Sequence, residues 1–307
     1  MNRKKQLSAA LMIFFAGISA FSQQTGPDKF HKNLSENFRK PHLKNFRAHS
    51  SRTGGKILWE SGVRLTDEKR TKALKLKIDP EGAPGAGRGP EIISNYYTHY
   101  GTYAVLLRIP DVKEIQPDVG AVVGYFTYHA DSIQGLSEID VEWLIADPEI
   151  IYIGTWTGQR GDLRRIGRTI NLAKGIIYST SYRERKSGLR RQLYGIQSKP
   201  DSIPRIEGFN AASQFNTYGF DWYPDRIRWW MINPTTTDTL VLWDYTGSLE
   251  GIPQHRTRYR VNFWHTNDWP VQTNPGSIEK PAYPYETEID WVYYKPLSRR
   301  RLKKYIN

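Results

Sequence analysis

The sequence predicts an all-β fold, a sandwich or jelly roll of antiparallel strands. Short runs of β-branched and aromatic residues recur from Ile57 onward, and turn-forming clusters such as EGAPGAGRGP and YPDR separate them. No long apolar segment repeats every 3.6 residues, as an amphipathic helix would. Hydrophobic residues make up 38% of the 307 residues, with 10 Trp, 19 Tyr and 11 Phe, so the chain can bury a sizeable core.

Nine of these runs are predicted as strands because each is rich in residues that favour β-structure and is bounded by turn residues. In chain order they are 73–78, 100–109, 120–128, 150–156, 215–223, 226–232, 239–245, 259–264 and 288–295. Their even spacing along one stretch of chain indicates a single β domain over residues 56–298.

The first 22 residues have the pattern of a secretory signal peptide. Basic residues at positions 3–5 precede an apolar run over 7–21, and the small residues Ala20 and Ser22 suit cleavage. The run is too short to span a bilayer stably, and no later stretch approaches a membrane span. We therefore expect a protein that is secreted or periplasmic in a bacterium, with an uncleaved anchor helix as the alternative.

The net charge of +13 is concentrated at the ends of the chain. Residues 27–56 sum to +6, the tail 299–307 to +5, and residues 57–298 to −1. Such a balance argues against a nucleic-acid-binding domain, and we interpret residues 23–55 as a basic extension and 299–307 as a basic tail, both solvated or adhering to a surface. Zero cysteines exclude disulfides, thiol nucleophiles and Cys-ligated metals.

Within the predicted domain the charge is uneven. Residues 101–150 sum to −7 and residues 151–200 to +9. We expect the basic stretch 159–192 to be a solvated hairpin or a rim loop that contacts an acidic or sulfated glycan. The acidic block is where catalytic chemistry is expected.

The segment GLSEIDVEWL carries three acids at alternate positions, Glu138, Asp140 and Glu142. On a strand this spacing sends all three carboxylates to one face and the intervening apolar residues to the other. Close carboxylates raise one another's pKa, so one can stay ionised while another keeps its proton near neutral pH.

Such a division suits glycoside hydrolysis, in which one carboxylate attacks or activates water and another protonates the leaving oxygen. Residues i and i+4 on a flat strand lie about 13 Å apart at Cα, so a retaining pair requires a curved strand. An exposed acidic strand face and a calcium site are the alternative interpretations.

The chain resembles glycoside hydrolase family 16, the group of laminarinases, lichenases and xyloglucan endotransglycosylases. The resemblance is carried by EIDVE, by PEIISNYYTHYGTYAVLLRI before it, and by FNTYGFDWYPDRIRWW, VNFWHTNDW and EIDWVYY after it. It implies a concanavalin-like jelly roll of two antiparallel sheets with a concave substrate cleft. It also implies that no cofactor is required, although a structural calcium whose ligands the sequence does not identify occurs in the family.

By this resemblance Glu138 is the nucleophile, Asp140 tunes the pair and Glu142 is the general acid/base. Trp264 and Trp269 match aromatics that line the sugar-binding groove, where indole rings stack on sugars. Four further residues are interpreted as substrate-binding: Asn95, Tyr125, Trp156 and His265. Trp222, Trp229 and Trp291 lie in strongly apolar runs and are expected in the core.

The favoured function is a secreted, monomeric, retaining endo-β-glucanase that acts on mixed-linkage β-1,3-1,4 or β-1,3 glucan. The motif lacks the extra bulge residue of many laminarinases, which favours chains containing β-1,4 bonds. Hydrolysis of a sulfated or anionic galactan is the first alternative, supported by the basic stretch. A glycan-binding protein without catalysis is the second, and the intact acidic triplet argues against it.

Overall fold

The computed structural model describes residues 28–49, 55–65, 69–78, 88–112, 120–266, 269 and 284–306. The predicted signal peptide lies outside the described residues. Nearly all regular structure in these residues is β, and the seventeen strands that they form pair in antiparallel ladders. The expected jelly-roll sandwich of two antiparallel sheets is confirmed.

The strands occupy the following segments, in chain order. They are β1 Leu34–Glu36, β2 Phe46–Ala48, β3 Gly55–Arg64, β4 Arg70–Ile78, β5 Glu91–Ser94, β6 Gly101–Arg108, β7 Ala121–Asp131, β8 Gly135–Leu144, β9 Ile150–Gln159, β10 Asp162–Asn171, β11 Ile176–Glu184, β12 Arg190–Gln192, β13 Asn216–Tyr223, β14 Arg226–Ile232, β15 Thr239–Thr246, β16 Arg258–His265 and β17 Tyr285–Pro296. A 3₁₀ turn covers Gly195–Ser198, and helix α1 covers Arg299–Ile306. All nine predicted strands are present.

The front sheet has nine strands in the order β12, β11, β10, β9, β8, β7, β16, β5, β2. The back sheet has the order β15, β14, β13, β6, β17, β4, β3, and β1 pairs with β17. The strand β8, which carries the acidic triplet, therefore lies at the centre of the front sheet. Four strands lie on each side of β8, and all of them can contribute side chains to the same surface of the sheet.

The core lies between the two sheets and is strongly aromatic. Ile139, Val141 and Trp143 face inward from β8, and Trp229 of the back sheet stacks on Trp243 with 4.9 Å between ring centroids. Trp222 is also fully buried, as expected. Aromatic side chains fill the space between sheets with large apolar area and few rotatable bonds.

Trp291 is half-buried rather than in the core, contrary to expectation. The pairing of β17 with β6 shifts register between Ile289 and Trp291, which marks a β-bulge. A bulge inserts one residue and changes which side chains face inward, so Ile289 and Val292 are buried and Trp291 is not.

Residues 28–49 pack onto the domain, which differs from the expected extension. Strand β1 pairs with β17 of the back sheet, and β2 pairs with β5 at the edge of the front sheet. Leu34, Phe38 and Phe46 are at most 2% exposed and belong to the main core. These three side chains, spaced irregularly among charged residues, hold the segment against both sheets.

The basic stretch 159–192 is neither a loop at the rim nor a hairpin apart from the sheet. It forms β10, β11 and β12, so its side chains alternate between the two faces of the front sheet. The basic tail forms α1, whose Tyr305 ring lies 6.2 Å from that of Tyr223. In the described part of the chain, no helix is long and apolar enough to cross a membrane.

Candidate active site

The three carboxylates of β8 lie on the outer surface of the front sheet, which we call the front face. Because Ile139, Val141 and Trp143 point into the core, strand alternation puts Glu138, Asp140 and Glu142 on the opposite side. Strands β7 and β9 flank β8 without a break in register over the triplet. The arrangement on one strand face is as the spacing predicts.

Each carboxylate has two neighbours across the strands. They are Tyr128 and Trp156 for Glu138, Phe126 and Gly154 for Asp140, and Gly124 and Tyr152 for Glu142. Neither glycine has room for a side chain, since a Cβ at Gly124 would come too close to the side-chain oxygen of Asn262. A side chain at Gly154 would collide with the backbone carbonyl of Ile166, so this close approach of strands requires glycine.

Asp140 is the most deeply buried acid of the triplet, at 5% exposure. Burial raises the pKa of its carboxyl well above the usual range, and the negative charges of Glu138 and Glu142 raise it further. The guanidinium of Arg165 opposes this rise. Asp140 is therefore suited to carry a proton between its neighbours and to donate a hydrogen bond to an ionised one.

Glu142 has a pKa raised to about 7 by burial in the floor of the front face, against the lowering effect of Arg165. An ordinary glutamic acid is ionised at neutral pH, whereas this one remains largely protonated up to that pH. A carboxylic acid that keeps its proton near pH 7 can donate it to a leaving oxygen.

An aromatic cluster lies beside Glu142. Tyr152, its cross-strand neighbour, has its ring centroid 4.9 Å from that of Trp269, and the Trp269 and Trp264 centroids are 6.3 Å apart. Trp264 is 3% exposed and packs with apolar side chains of the same face, while Trp269 is partly buried. The structure thus brings both predicted groove tryptophans to the front face, with Trp269 as the more accessible surface for a sugar.

Trp156 lies on the other side of the triplet, next to Glu138. It is half-buried, and the guanidinium carbons of Arg165 and Arg183 lie 5.3 and 6.0 Å from its ring centroid. A cation held near an indole ring in this way is attracted by its π electrons. Trp156 therefore belongs to the front face and not to the core.

Asn95 lies at the edge of the same face, apart from the carboxylates. It follows β5, and the intervening strands β7 and β16 put it roughly 14 Å from β8. Its side-chain NH2 donates to the backbone carbonyl of Lys44 at 3.3 Å, and the backbone carbonyl of Asn95 accepts a hydrogen bond from Arg258. A contact with sugar at Asn95 would thus be at a distant point of the groove.

Tyr125 and His265 are corrected by the structure, since neither lies on the front face. Tyr125 is fully buried among core aromatics, with ring centroids 5.6 Å from Phe220 and 5.5 Å from Tyr259. His265 is also fully buried and follows Trp264 on an unbroken strand. Because adjacent residues on a strand point to opposite faces, Trp264 and His265 cannot both line the groove.

Several residues of the front face were not predicted from the sequence. They are Tyr128, Tyr152, Arg165 and Arg183. The alternation in IIYIGTW, in which Tyr152, Gly154 and Trp156 share one face, was a signal for the second of these. No residue pattern within one strand reveals which arginines of another strand lie beside it.

The described residues contain no group of three or more His, Asp or Glu side chains arranged to hold a metal ion. The acidic triplet itself is a row along one strand and not a converging cage.

No family model matches the chain. A β-glucanase of Brevibacillus brevis is 23% identical over 246 residues, which cover 78% of this chain and 69% of that protein. The solved β-glucanase of Bacillus licheniformis superposes with a TM-score of 0.52 at 18% identity, over 88% of this chain and all of that one. A solved β-1,3-1,4-glucanase (lichenase) from a mouse hindgut metagenome gives a TM-score of 0.51 at 17% identity, over 87% of this chain and all of that one.

These comparisons agree with the resemblance drawn from the residues. The solved structures share the fold, and the curated relative is named a β-glucanase. The resemblance to glycoside hydrolase family 16 is thus confirmed.

Proposed function

We propose that this chain is a glycoside hydrolase that cleaves β-linked polysaccharide within the chain and retains the anomeric configuration. The observation that carries the proposal is the row of three carboxylates on the front face, in which Glu142 has a pKa raised to about 7. One ionised and one protonated carboxyl group are what double displacement requires.

In the first step the carboxylate of Glu138 attacks the anomeric carbon. A bond forms between that carbon and a carboxylate oxygen, the glycosidic C–O bond breaks, and Glu142 transfers its proton to the leaving oxygen. In the second step Glu142, now ionised, removes a proton from water as the water oxygen attacks the same carbon. Glu138 leaves as a carboxylate, and both groups return to their starting states.

Asp140 acts between these two groups. Asp140 lies two residues from each of them along β8, on the same face. Burial, together with the charges of these two neighbours, raises its pKa strongly. A protonated Asp140 donates a hydrogen bond to whichever neighbour is negative, which favours ionised Glu138 at the start of the cycle. It is a positioning and tuning residue, and no bond to the sugar forms on it.

The substrate class that the relatives support is β-glucan. The matched proteins are named β-glucanase and lichenase. The acidic motif has no bulge on β8, which favours chains that contain β-1,4 bonds. A second candidate is an anionic glycan, which the arginines beside Trp156 favour.

We further propose that the protein is exported, on the strength of the basic and apolar pattern of residues 3–21. A polysaccharide is too large to enter a cell, so its hydrolase meets it outside. Fractionation of producing cells tests export, and protein found only in the cytoplasm would contradict it. N-terminal sequencing of material from the medium or periplasm tests cleavage, which an intact Met1 would contradict.

The enzymatic proposal is tested by release of reducing ends from barley mixed-linkage glucan, laminarin, agarose, porphyran and carrageenan by purified residues 23–307. Glu138→Gln serves as the blank. Activity of the wild type on any of these, absent from the variant, supports the proposal and identifies the linkage. If no reducing ends are released from any of these substrates but the protein binds one of them, a binding protein without catalysis would be favoured instead.

A further inference from the structure

Three arginines continue the row that begins at Glu138 and Trp156. In register across the front sheet, Trp156 pairs with Arg165, Arg165 with Arg183, and Arg183 with Arg190. We call Arg165, Arg183 and Arg190 the arginine row. Neighbouring members of the row lie on adjacent strands, one strand spacing apart. Arg165 is therefore roughly 10 Å from Glu138, and the other two arginines lie farther away along the front face.

The arginine row is costly to the folded protein. Like charges directly opposite one another on neighbouring strands destabilise a sheet. In the described part of the chain, none of the three forms a salt bridge with a carboxylate. The Nε of Arg165 is buried and, within that same part, has no hydrogen-bond acceptor.

Other arginines of the front sheet have protein partners. Arg258 donates to the carbonyls of Ser94 and Asn95 at 2.9 and 2.7 Å, and Arg260 pairs with Glu91 at 2.7 Å. These two lie on the opposite side of the triplet, on β16. Arg183 and Arg190 are therefore distinguished by lacking such partners and not by being basic, whereas Arg165 also acts on Asp140 and Glu142, the pKa values of which it lowers.

The arginine row lines a surface cavity of about 420 Å³. Hydroxyl and amide groups from Thr169, Ser179, Ser181 and Gln192 line it as well, and Gly167 leaves space between Arg165 and its neighbours. Guanidinium groups bind the oxygens of sulfate and carboxylate in paired, charge-assisted hydrogen bonds. The lining is thus almost entirely composed of groups that donate hydrogen bonds to anions.

We propose that the arginine row binds an anionic substituent, a sulfate ester or a uronate carboxylate, on a sugar of the polysaccharide that occupies the front face. This inference rests on the proposed function for the path of the sugar chain and, of the two substrate classes named there, favours the anionic glycan. Trp156 stacks on the sugar between the cleavage point and the charged one.

The electrostatics of the row agree with this role. Burial, together with the positive charges of Arg165 and Arg190, lowers the pKa of Arg183 to about 10. An anion seated among the three groups removes this mutual repulsion, so binding it also stabilises the fold.

The test measures binding in the Glu138→Gln background, in which we expect cleavage to be too slow to disturb the titration. The probes are oligosaccharides of porphyran before and after desulfation, and of β-linked glucuronan before and after reduction of its carboxyl groups. Each is titrated against Arg183→Gln, Arg183→Lys and Arg164→Gln. Arg164 is the matched control because it lies on the same strand as Arg165, points to the other face and pairs with Glu184 at 3.9 Å.

We expect at least one charged probe to bind about tenfold or more tightly than its neutral form, since charge-assisted hydrogen bonds are the stronger ones. Arg183→Gln loses this preference, Arg183→Lys keeps part of it, and Arg164→Gln keeps all of it. Whether the sulfated or the carboxylated probe shows the preference identifies the substituent. Thermal melting of each variant checks that the fold is intact.

Equal binding of charged and neutral probes would overturn the inference, as would equal losses in Arg183→Gln and Arg164→Gln. The proposed function fails on a different observation, the absence of cleavage by the wild type. Arginine-dependent binding without cleavage would support the subsite and refute the hydrolase. Cleavage of neutral glucan, together with equal binding of charged and neutral probes, would support the hydrolase and refute the subsite.

Discussion

The indole Nε1 of Trp229 donates a hydrogen bond to the backbone carbonyl of Asp140 at 3.2 Å. Trp229 belongs to the back sheet and Asp140 to the front sheet, so this bond crosses the core directly beneath the acidic triplet. The Trp229 ring is itself held by stacking on Trp243. The position of the central carboxylate thus depends on a side chain that no substrate touches.

Trp229→Phe removes this bond and part of the packing, and we expect a loss of about 1 to 3 kcal/mol in the free energy of unfolding. Turnover falls as well, because β8 is no longer anchored. Trp222→Phe is the control, since it removes a bond of the same kind, to the carbonyl of Pro253 at 3.0 Å. Thermal melting and kcat are measured for both; equal effects on kcat would contradict a role for Trp229 in positioning the triplet.

Glu138→Gln is expected to lower kcat by roughly a thousandfold or more, because it removes the nucleophile and keeps the shape of the side chain. Glu207→Gln, a change on the exposed partner of Arg205, should leave kcat unchanged. Proton NMR of the first product in the wild type should show the same anomer as the substrate. Inversion, or substantial residual activity of Glu138→Gln, would refute the assigned mechanism.

The pH profile should report the proton on Glu142. Its pKa is about 7, so kcat/KM falls as the pH rises above that value and the acid loses its proton. Arg165 lowers this pKa, and Arg165→Gln therefore shifts the fall to higher pH on a neutral oligosaccharide. Arg164→Gln is the control. A basic limb that does not move, or moves to lower pH, would contradict the coupling.

Trp269→Ala is expected to raise KM about tenfold, through loss of an aromatic surface on which a sugar stacks, with a smaller effect on kcat. Tyr125→Phe, a change on the buried face of the same sheet, should leave KM unchanged. Initial rates on an oligosaccharide series measure both. A raised KM in Tyr125→Phe would show that this ring affects substrate binding despite its position in the core.

A chain that begins at residue 50 should be less stable than one that begins at residue 28. It lacks β1, β2 and the buried side chains of Leu34, Phe38 and Phe46. Burying three such groups corresponds to a drop in Tm of roughly 10 °C or more. Calorimetry of the two chains checks this, and equal Tm values would restore the interpretation of this segment as a loose extension.

Strands were predictable where apolar and aromatic residues alternate over five or more positions, as they do around Glu138. Strands β1 and β2 have only three residues each, too few for a period to show. Strand β10 was missed because Arg164 and Arg165 point to opposite faces and their charges obscure the alternation. Its membership in the front sheet depends on pairing with distant strands, which no local pattern encodes.

The placement of the acidic triplet on one strand face could be predicted for the same reason that the strands could, because a period of two determines which side chains share a face. The surroundings of the triplet could not. Which side of β16 faces outward is set by the core contacts of Tyr259 and Phe263, and this decides between Trp264 and His265. The arginine row likewise exists only in the register between β9, β10, β11 and β12.

Strand β17 is almost the last element of the chain, yet it lies in the interior of the back sheet between β6 and β4. During synthesis the sheet therefore cannot close until residues 285–296 have left the ribosome. Until then the chain retains unpaired strand edges, and contacts between residues far apart in sequence make closure slow. A polypeptide of this topology stays incompletely paired until residues 285–296 have been made, which suits the proposed export, since a translocase accepts unfolded chains.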